Sequence, residues 1–384
     1  MSIPATPSST TPAAASSPAS AQVRDLAEVP DLDLSGDVVT LARALCDIES
    51  VSGAEKPLAD AVELALRRLP HLRVLRDGNA VVARTELGRP ERVVLAGHLD
   101  TVPVAANLPC RLEEGTDGPV LHGRGTVDMK AGVAVLLRTV AALDRPNRDL
   151  TLVLYDHEEV AAVKNGLGRL VREHREWIEG DFAVLGEPTA GEVEGGCNGT
   201  IRVEITLRGV AAHSARSWMG HNAVHDAADV LLRLRDYRPR TVEVDGLAYR
   251  EGLNAVLIQG GNATNVLPDR CVVTVNYRFA PDRSPEEAEA HLRELFADQE
   301  LRVVDVAAGA RPGLDHPGAR AFVEAVGAVP GPKYGWTDVA RFGELGIPAV
   351  NFGPGDPSLA HRDDERCPVA QILRCEQALA RWLG

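Results

Sequence analysis

The sequence predicts an α/β fold, a mixed sheet flanked by helices, interrupted by a smaller inserted α+β domain. Three observations lead there. Short apolar runs at 93–96, 152–155, 182–185 and 349–352 have the length and composition of buried strands, and helical patterns alternate with them. Each run leads toward glycine, histidine or acidic residues. From about Thr200 the runs give way to alternating, half-exposed strands, and the first pattern returns only near Gly309. A length of 384 residues also favours two domains.

Taken in order, the first 22 residues are mostly Ser, Thr, Ala and Pro, with no charged side chain and no apolar signal-peptide core. Residues 1–32 are therefore expected to form a disordered extension. Order should begin at 33–37, where Ser35 or Asp37 caps a helix carrying Val38, Leu41, Ala42 and Leu45. The stretch 37–70 reads as two amphipathic helices broken at Val51, Ser52 and Gly53, with strands following near 72–75 and 80–84. After Asp128, residues 131–137 read as a buried helix, which places that carboxylate near a positive helix end.

In the second region, 201–207 alternates as a strand, 222–234 is helical, and 254–260 and 271–279 are strands. Ser284 and Pro285 open a helix to Phe296 with Glu286 and Glu287 in its first turn, and 301–306 is a last strand. The order β, α, β, β, α, β is ferredoxin-like. The expected division is thus 33–198 with 309–384 as one domain, 199–308 inserted into it, and a closing helix at 368–382.

The formal charge of -14 argues against binding to nucleic acid or an anionic membrane, and no basic cluster is interleaved with aromatics. No apolar run approaches the roughly 18 residues of a membrane span. The six cysteines show no CxxC pair, which suits a reduced, cytoplasmic setting better than a disulfide framework.

The chemistry gathers at the strand ends. VVLAGHLDTVP at 93–103 delivers His98 to the carboxyl end of a strand, with Asp100 two residues on, able to hydrogen-bond the imidazole and fix its tautomer. Other runs lead into Asp156, His157, Glu158 and Glu159, into Glu187, and toward His361, while HGRGTVDMKAG holds Asp128 in a glycine-rich turn. In open α/β sheets such residues converge on one crevice. Histidine and carboxylate without thiolate suit a hydrolytic zinc or related divalent site, with cobalt or manganese as alternatives. The expected assignment is Asp128 bridging two metal ions, His98 and Glu187 on one, and Glu159 and His361 on the other. Glu158 is left as a general base, although pattern alone does not decide which glutamate binds and which catalyses. His157 is read as a spectator. The bland alternatives are an Asx turn or helix cap for Asp128 and solvated polar loops for Glu158, Glu159 and His361.

GHLDTVP, GRGTVDMKAG, YDHEEV, VLGEPT and AHRDDE together resemble the M20 metallopeptidase and deacylase family from about residue 38 to the carboxyl end. RGVAAHSARSWMGHNAVH, GGNATNVLPDRC, NYRFAP and KYGWTDVARFGELGIPAVNFGPGDP are similar to the actinobacterial type of succinyl-diaminopimelate desuccinylase within it. The resemblance implies a zinc-aminopeptidase-like catalytic domain, two zinc ions, and a homodimer formed through the inserted lid. It also implies hydrolysis of N-succinyl-LL-2,6-diaminopimelate, a small N-acyl amino acid, with Glu158 as acid/base. His213 matches a lid histidine that reaches the partner subunit's site and stabilises an oxyanion. Asn265 and Arg278 match lid positions expected to hold substrate carboxylates, and Thr337 a hydroxyl donor. Many relatives carry a basic pair where this chain has Cys197 and Asn198, and usually a residue other than histidine at position 157. Acetylornithine deacetylase, aminoacylase and carboxypeptidase are the nearest rival activities.

Overall fold

The computed structural model of the chain describes residues 29–384. Residues 1–28, most of the expected extension, lie outside the described residues; within the remainder Leu32 is already buried in the core. Asp37, of the two candidate caps, accepts from the Val39 and Thr40 amides and opens α1 (Val38–Asp47), followed by α2 (Lys56–Arg67). Next come β1 (Arg73–Asp77), β2 (Ala80–Arg84), β3 (Arg92–His98), the hairpin β4 (Arg111–Gly115) and β5 (Gly118–His122), and α3 (Lys130–Ala142). Then follow β6 (Asp149–Tyr155), α4 (Gly166–Glu173), β7 (Phe182–Leu185) and β8 (Glu194–Gly195).

The second region contains β9 (Gly199–Arg208), α5 (Ala223–Asp236), the hairpin β10 (Thr241–Val244) and β11 (Leu247–Arg250), β12 (Gly252–Gly260), β13 (Arg270–Phe279), α6 (Pro285–Leu295) and β14 (Glu300–Ala307). The chain ends with α7 (Pro317–Val326), β15 (Gly331–Pro332), α8 (Val339–Glu344), β16 (Ala349–Asn351), β17 (Arg366–Pro368) and α9 (Val369–Leu383).

The main sheet runs β1-β2-β6-β3-β7-β16-β8-β15. It is mixed: β3 lies parallel between β6 and β7, and β7 parallel to β16, whereas β2 is antiparallel to β6. Both faces are covered, which is why these strands read as continuous apolar runs. Val93 and Leu95 face the core built with α1, α2, α3, α7 and α9, while Val94 and Ala96 face the one built with α4 and α8.

The four strands β12-β13-β9-β14 form a separate antiparallel sheet in the ferredoxin-like order. Ile201, Val203 and Ile205 of β9 bury one face against Ala227 and Val230 of α5 and Leu292 of α6. Ser284 and Glu287 complete a capping box at the start of α6. The two hairpins, β8, β15, β17, α4, α7 and α8 were not visible in the sequence pattern.

One close approach positions the site. Helix α3 packs against the end of β7 so tightly that a Cβ on Gly132 would lie 2.0 Å from the Gly186 carbonyl oxygen. Gly132→Ala should therefore destabilise the protein by about 1–3 kcal/mol, and should separate the loop of Glu187 from that of Asp128. Denaturant unfolding together with metal-binding stoichiometry checks both, and a variant with normal values of each would contradict the packing described.

Candidate metal centre

The residues of the site come from the carboxyl ends of adjacent strands, where the backbone has left the sheet and side chains are free to converge. His98 is the last residue of β3 and is buried. The loop after β6 supplies Glu158 and Glu159, the loop after β7 supplies Glu187, and the turn before α3 supplies Asp128. His361 comes from the loop after β16 and has φ +65°, a left-handed conformation that non-glycine residues adopt rarely.

Asp128 is at the centre. Its Oδ1 lies 3.0 Å from His98 Nε2 and its Oδ2 3.3 Å from His361 Nε2, so each oxygen addresses a different imidazole. His361 Nε2 also lies 3.0 Å from Glu159 Oε2. His98, Asp128 and Glu187 form one group with ligand atoms within 4.8 Å of one another, and Asp128, Glu159 and His361 form a second. His98, Glu158 and Glu159 make a third such group, so Glu158 stands beside both. Two triads sharing one carboxylate are a donor set for two divalent cations. Glu187 supports the fit: its Oε1 is buried with no hydrogen-bond partner, a group that a cation would satisfy.

Asp100 holds this arrangement differently from the simple expectation. The His98 Nδ1–H donates to the backbone carbonyl of Asp100 at 2.9 Å, with the carboxylate Oδ1 3.5 Å away. The carboxylate instead accepts from Ser52 Oγ at 2.7 Å and from the amides of Glu158 at 3.0 Å and Glu159 at 3.1 Å. One buried aspartate therefore sets the imidazole's tautomer through its main chain and the two glutamates' positions through its side chain.

Electrostatics follow from crowding. Burial would push the His98 imidazole down, but hydrogen bonds to Asp100 and Asp128 raise it well above its ordinary value. His361 is pushed up to about 10 by Asp128 and Glu159. Burial, then the Asp128 charge, lifts Glu187 to about 7. Glu158 is raised well above the carboxylate range, first by burial and then by Glu187, Asp338 and Glu159.

A cavity of about 470 Å³ opens on the site, lined by Asp128, Glu158, Glu159, Glu187 and His361, with Arg278 and Thr337 among its other walls. Thr337 donates to Asn351 Oδ1 at 2.9 Å. His213 and Asn265 are not brought here within the chain: both are exposed and lie side by side on the second sheet's loops, where His213 bridges to Val266. His157 points aside, with Nδ1 2.8 Å from Asp156 Oδ2, and joins none of the metal-holding groups.

Sequence reasoning missed Lys333. Almost buried, it lines the same cavity, donates to the Pro188 carbonyl at 2.6 Å and lies 2.9 Å from Glu194 Oε2. Glu365 was missed as well and accepts from the Val127 and Asp128 amides. The available signal for both was a charged residue inside a recognised motif, Glu365 ending AHRDDE and Lys333 opening KYGWTDV.

The model for peptidase family M20/M25/M40 matches residues 94–384, which takes in His98, Asp128, Glu158, Glu159, Glu187 and His361. The chain belongs to that family. It is 55% identical over 356 residues to the putative succinyl-diaminopimelate desuccinylase DapE of Mycobacterium tuberculosis, covering 92% of this chain and 99% of that one. It is 48% identical to the succinyl-diaminopimelate desuccinylase of Corynebacterium glutamicum, with 92% and 98% covered. Among solved structures, the M20 family metallo-carboxypeptidase Sso-CP2 of Sulfolobus solfataricus superposes with a TM-score of 0.73 at 17% identity, covering 90% of this chain and 98% of that one.

A cation taken up by these raised histidines would have to displace protons. His361, pushed up to about 10, carries a proton at neutral pH that a cation at Nε2 would displace. Cation uptake by chelator-treated protein should therefore release protons at pH 7, and affinity should rise with pH. Titration calorimetry in buffers of different ionisation heat measures this, and binding without net proton release would contradict the assignment of His361 as a ligand.

Proposed function

We propose that this chain is a succinyl-diaminopimelate desuccinylase, hydrolysing N-succinyl-LL-2,6-diaminopimelate to succinate and LL-2,6-diaminopimelate in lysine and diaminopimelate biosynthesis. The observation that carries this is the pair of triads sharing Asp128, in a chain 55% identical over 92% of its length to a putative enzyme of that name. His98 and Glu187 would hold one divalent ion, Glu159 and His361 the other, and Asp128 both. Zinc is the first candidate, with cobalt or manganese as alternatives. Such a pair, when bound, supplies Lewis acidity and a lowered pKa for water.

The chain's own groups do the rest. Glu158 takes the proton of the attacking water and returns it to the leaving amine nitrogen, and its raised pKa suits a group that both accepts and gives back a proton. Asp100 keeps His98 and the two glutamates in register. Arg278 and Thr337 contact the substrate within the cavity, the guanidinium as donor to a carboxylate.

In this proposal 33–198 with 309–384 is the catalytic domain, and 199–308 is a lid that also forms a cytoplasmic homodimer. Support comes from the edge strand β12, where Val256, Leu257 and Ile258 are about half exposed in succession, and from Trp218 and Met219 of the same region, 78% and 63% exposed. An open apolar edge of this kind is a template for a second strand. His213 and Asn265, exposed on two adjoining loops, then serve the partner's site as oxyanion and carboxylate donors. The net charge of -14 supports a small-molecule substrate without nucleic acid or membrane.

Metal-loaded protein offered succinyl-diaminopimelate beside acetylornithine and simple N-acyl amino acids should prefer the first; preference for acetylornithine would replace the substrate assignment. Glu158→Ala should keep two metals per chain while turnover falls by about 10² to 10⁴, and loss of a metal instead would exchange the roles of Glu158 and Glu159. His213→Ala alone should be nearly inactive, yet mixing it with Glu158→Ala chains should restore activity, because one mixed site then holds both groups. No recovery in verified mixed dimers would remove His213 from the partner's site.

A further inference from the structure

Asp128 and His361 are 233 positions apart in the chain, and their relative placement has a specific physical source. Glu365 lies four residues beyond His361, almost fully buried, with 1% of its side chain exposed. Its Oε1 accepts from the Val127 amide at 2.9 Å and from the Asp128 amide at 3.1 Å. Its Oε2 accepts from Arg124 Nη1 at 2.8 Å, and Arg124 is 3% exposed. The same Nη1 donates to the Arg362 carbonyl at 3.0 Å, directly beside His361, and the Gly123 amide donates to the Glu365 carbonyl at 3.0 Å. Arg124 Nε is fixed in turn by the Pro103 carbonyl at 3.1 Å, so the guanidinium is anchored on three sides.

We infer that Arg124 and Glu365 are positioning residues that lock the loop of Asp128 to the loop of His361 and so build the shared metal site before any cation binds. Neither side chain reaches the reacting atoms. A buried carboxylate accepting two successive main-chain amides fixes the direction of the second of those residues, here Asp128, the member common to both triads. The arginine neutralises that carboxylate and holds the main chain next to His361, whose left-handed backbone would otherwise relax. Disturbing the pair should therefore weaken both cation positions together, since one ligand serves both and another belongs to the second.

This rests on reading Asp128 and His361 as metal ligands, and the test separates the two. Wild-type protein is stripped with chelator and titrated with cobalt, followed by visible absorption; failure to bind two ions per chain would overturn the ligand assignment itself. Given two ions in the wild type, Glu365→Gln, which keeps the shape and one acceptor oxygen, and Arg124→Met should each raise the cobalt dissociation constants by about 10- to 100-fold, the usual effect of losing an outer-shell partner. Glu365→Ala should do so more strongly. Circular dichroism and thermal melting of the same samples identify unfolded variants, and Glu365→Gln decides the matter where Glu365→Ala does not fold. Folded Glu365→Gln and Arg124→Met with unchanged dissociation constants, even at a lowered melting temperature, would reduce the pair to general structural support and overturn the inference.

Discussion

The structure depends on holding four carboxylates and two imidazoles in a space where they would otherwise repel or lose water at a cost. Glu158, Glu159 and Glu187 each have a raised pKa, with burial the largest cause, and each feels at least one neighbouring carboxylate. The histidine–carboxylate pairs attract, but the three buried glutamates are not brought together by attraction to one another. They are carried there by rigid elements whose own stability is unrelated to the site: β3 alone contributes Val93, Val94, Leu95 and Ala96, each 2% exposed or less, to two separate cores. The apolar strands supply the free energy, and the acids at their ends are held against electrostatic preference. Cations of high charge relieve that preference, which is why the donor set and the crowding point to the same chemistry.

A second layer converts coarse placement into geometry. Asp100 holds the amides of Glu158 and Glu159, Glu365 holds those of Val127 and Asp128, and Lys333 holds the carbonyl of Pro188 next to Glu187. In each case a buried charge grips the backbone at or beside a ligand and leaves the ligand's own atoms free. Charge-assisted bonds to backbone groups are short and directional, so they define position without competing for the metal-facing oxygens. Each gripping charge also has company: Arg124 for Glu365, Glu194 for Lys333, and Ser52 together with His98 for Asp100.

What the sequence made legible follows from periodicity and contiguity. Strands β2 and β7 were readable residue for residue, because a short apolar run bounded by polar residues has one interpretation once its neighbours agree. The candidate donor set was readable because His98, Glu158, Glu159 and Glu187 follow such runs closely, while Asp128 stands in a glycine-rich turn and His361 in a polar loop. The supporting charges were not, since Glu365 meets Asp128 across 237 positions and Lys333 meets Pro188 across 145, and nothing local marks either as buried. The β4–β5 hairpin was invisible for the opposite reason: β4 is exposed along its whole length and carries no apolar signal. Asp100 was recognised as a partner of His98, but the carbonyl rather than the carboxylate makes the short bond, a distinction that residue types cannot carry.

The charge balance of the cavity bears on which substrates fit. The cavity is lined by the acids Asp128, Glu158, Glu159, Glu187 and Glu194 and by the cations Arg278 and Lys333. Lys333 is already matched by Glu194 and saturated in part by the Pro188 carbonyl, so its charge is largely spent within the protein. Arg278 has no such match among the described residues, and burial together with nearby Arg202 lowers its pKa, the signature of a cation held where an anion would be welcome. Cys197 and Asn198 add no positive charge; the thiol is buried against Thr337, and Asn198 donates to the Arg250 carbonyl. In the proposed reading, Arg278 on the second sheet, and not Cys197 or Asn198, is the group that would receive an acyl carboxylate. On that reading, acyl-group selection would depend on how closely the second sheet approaches the Asp128 cluster, so its placement would bear on specificity as well as on shielding from water.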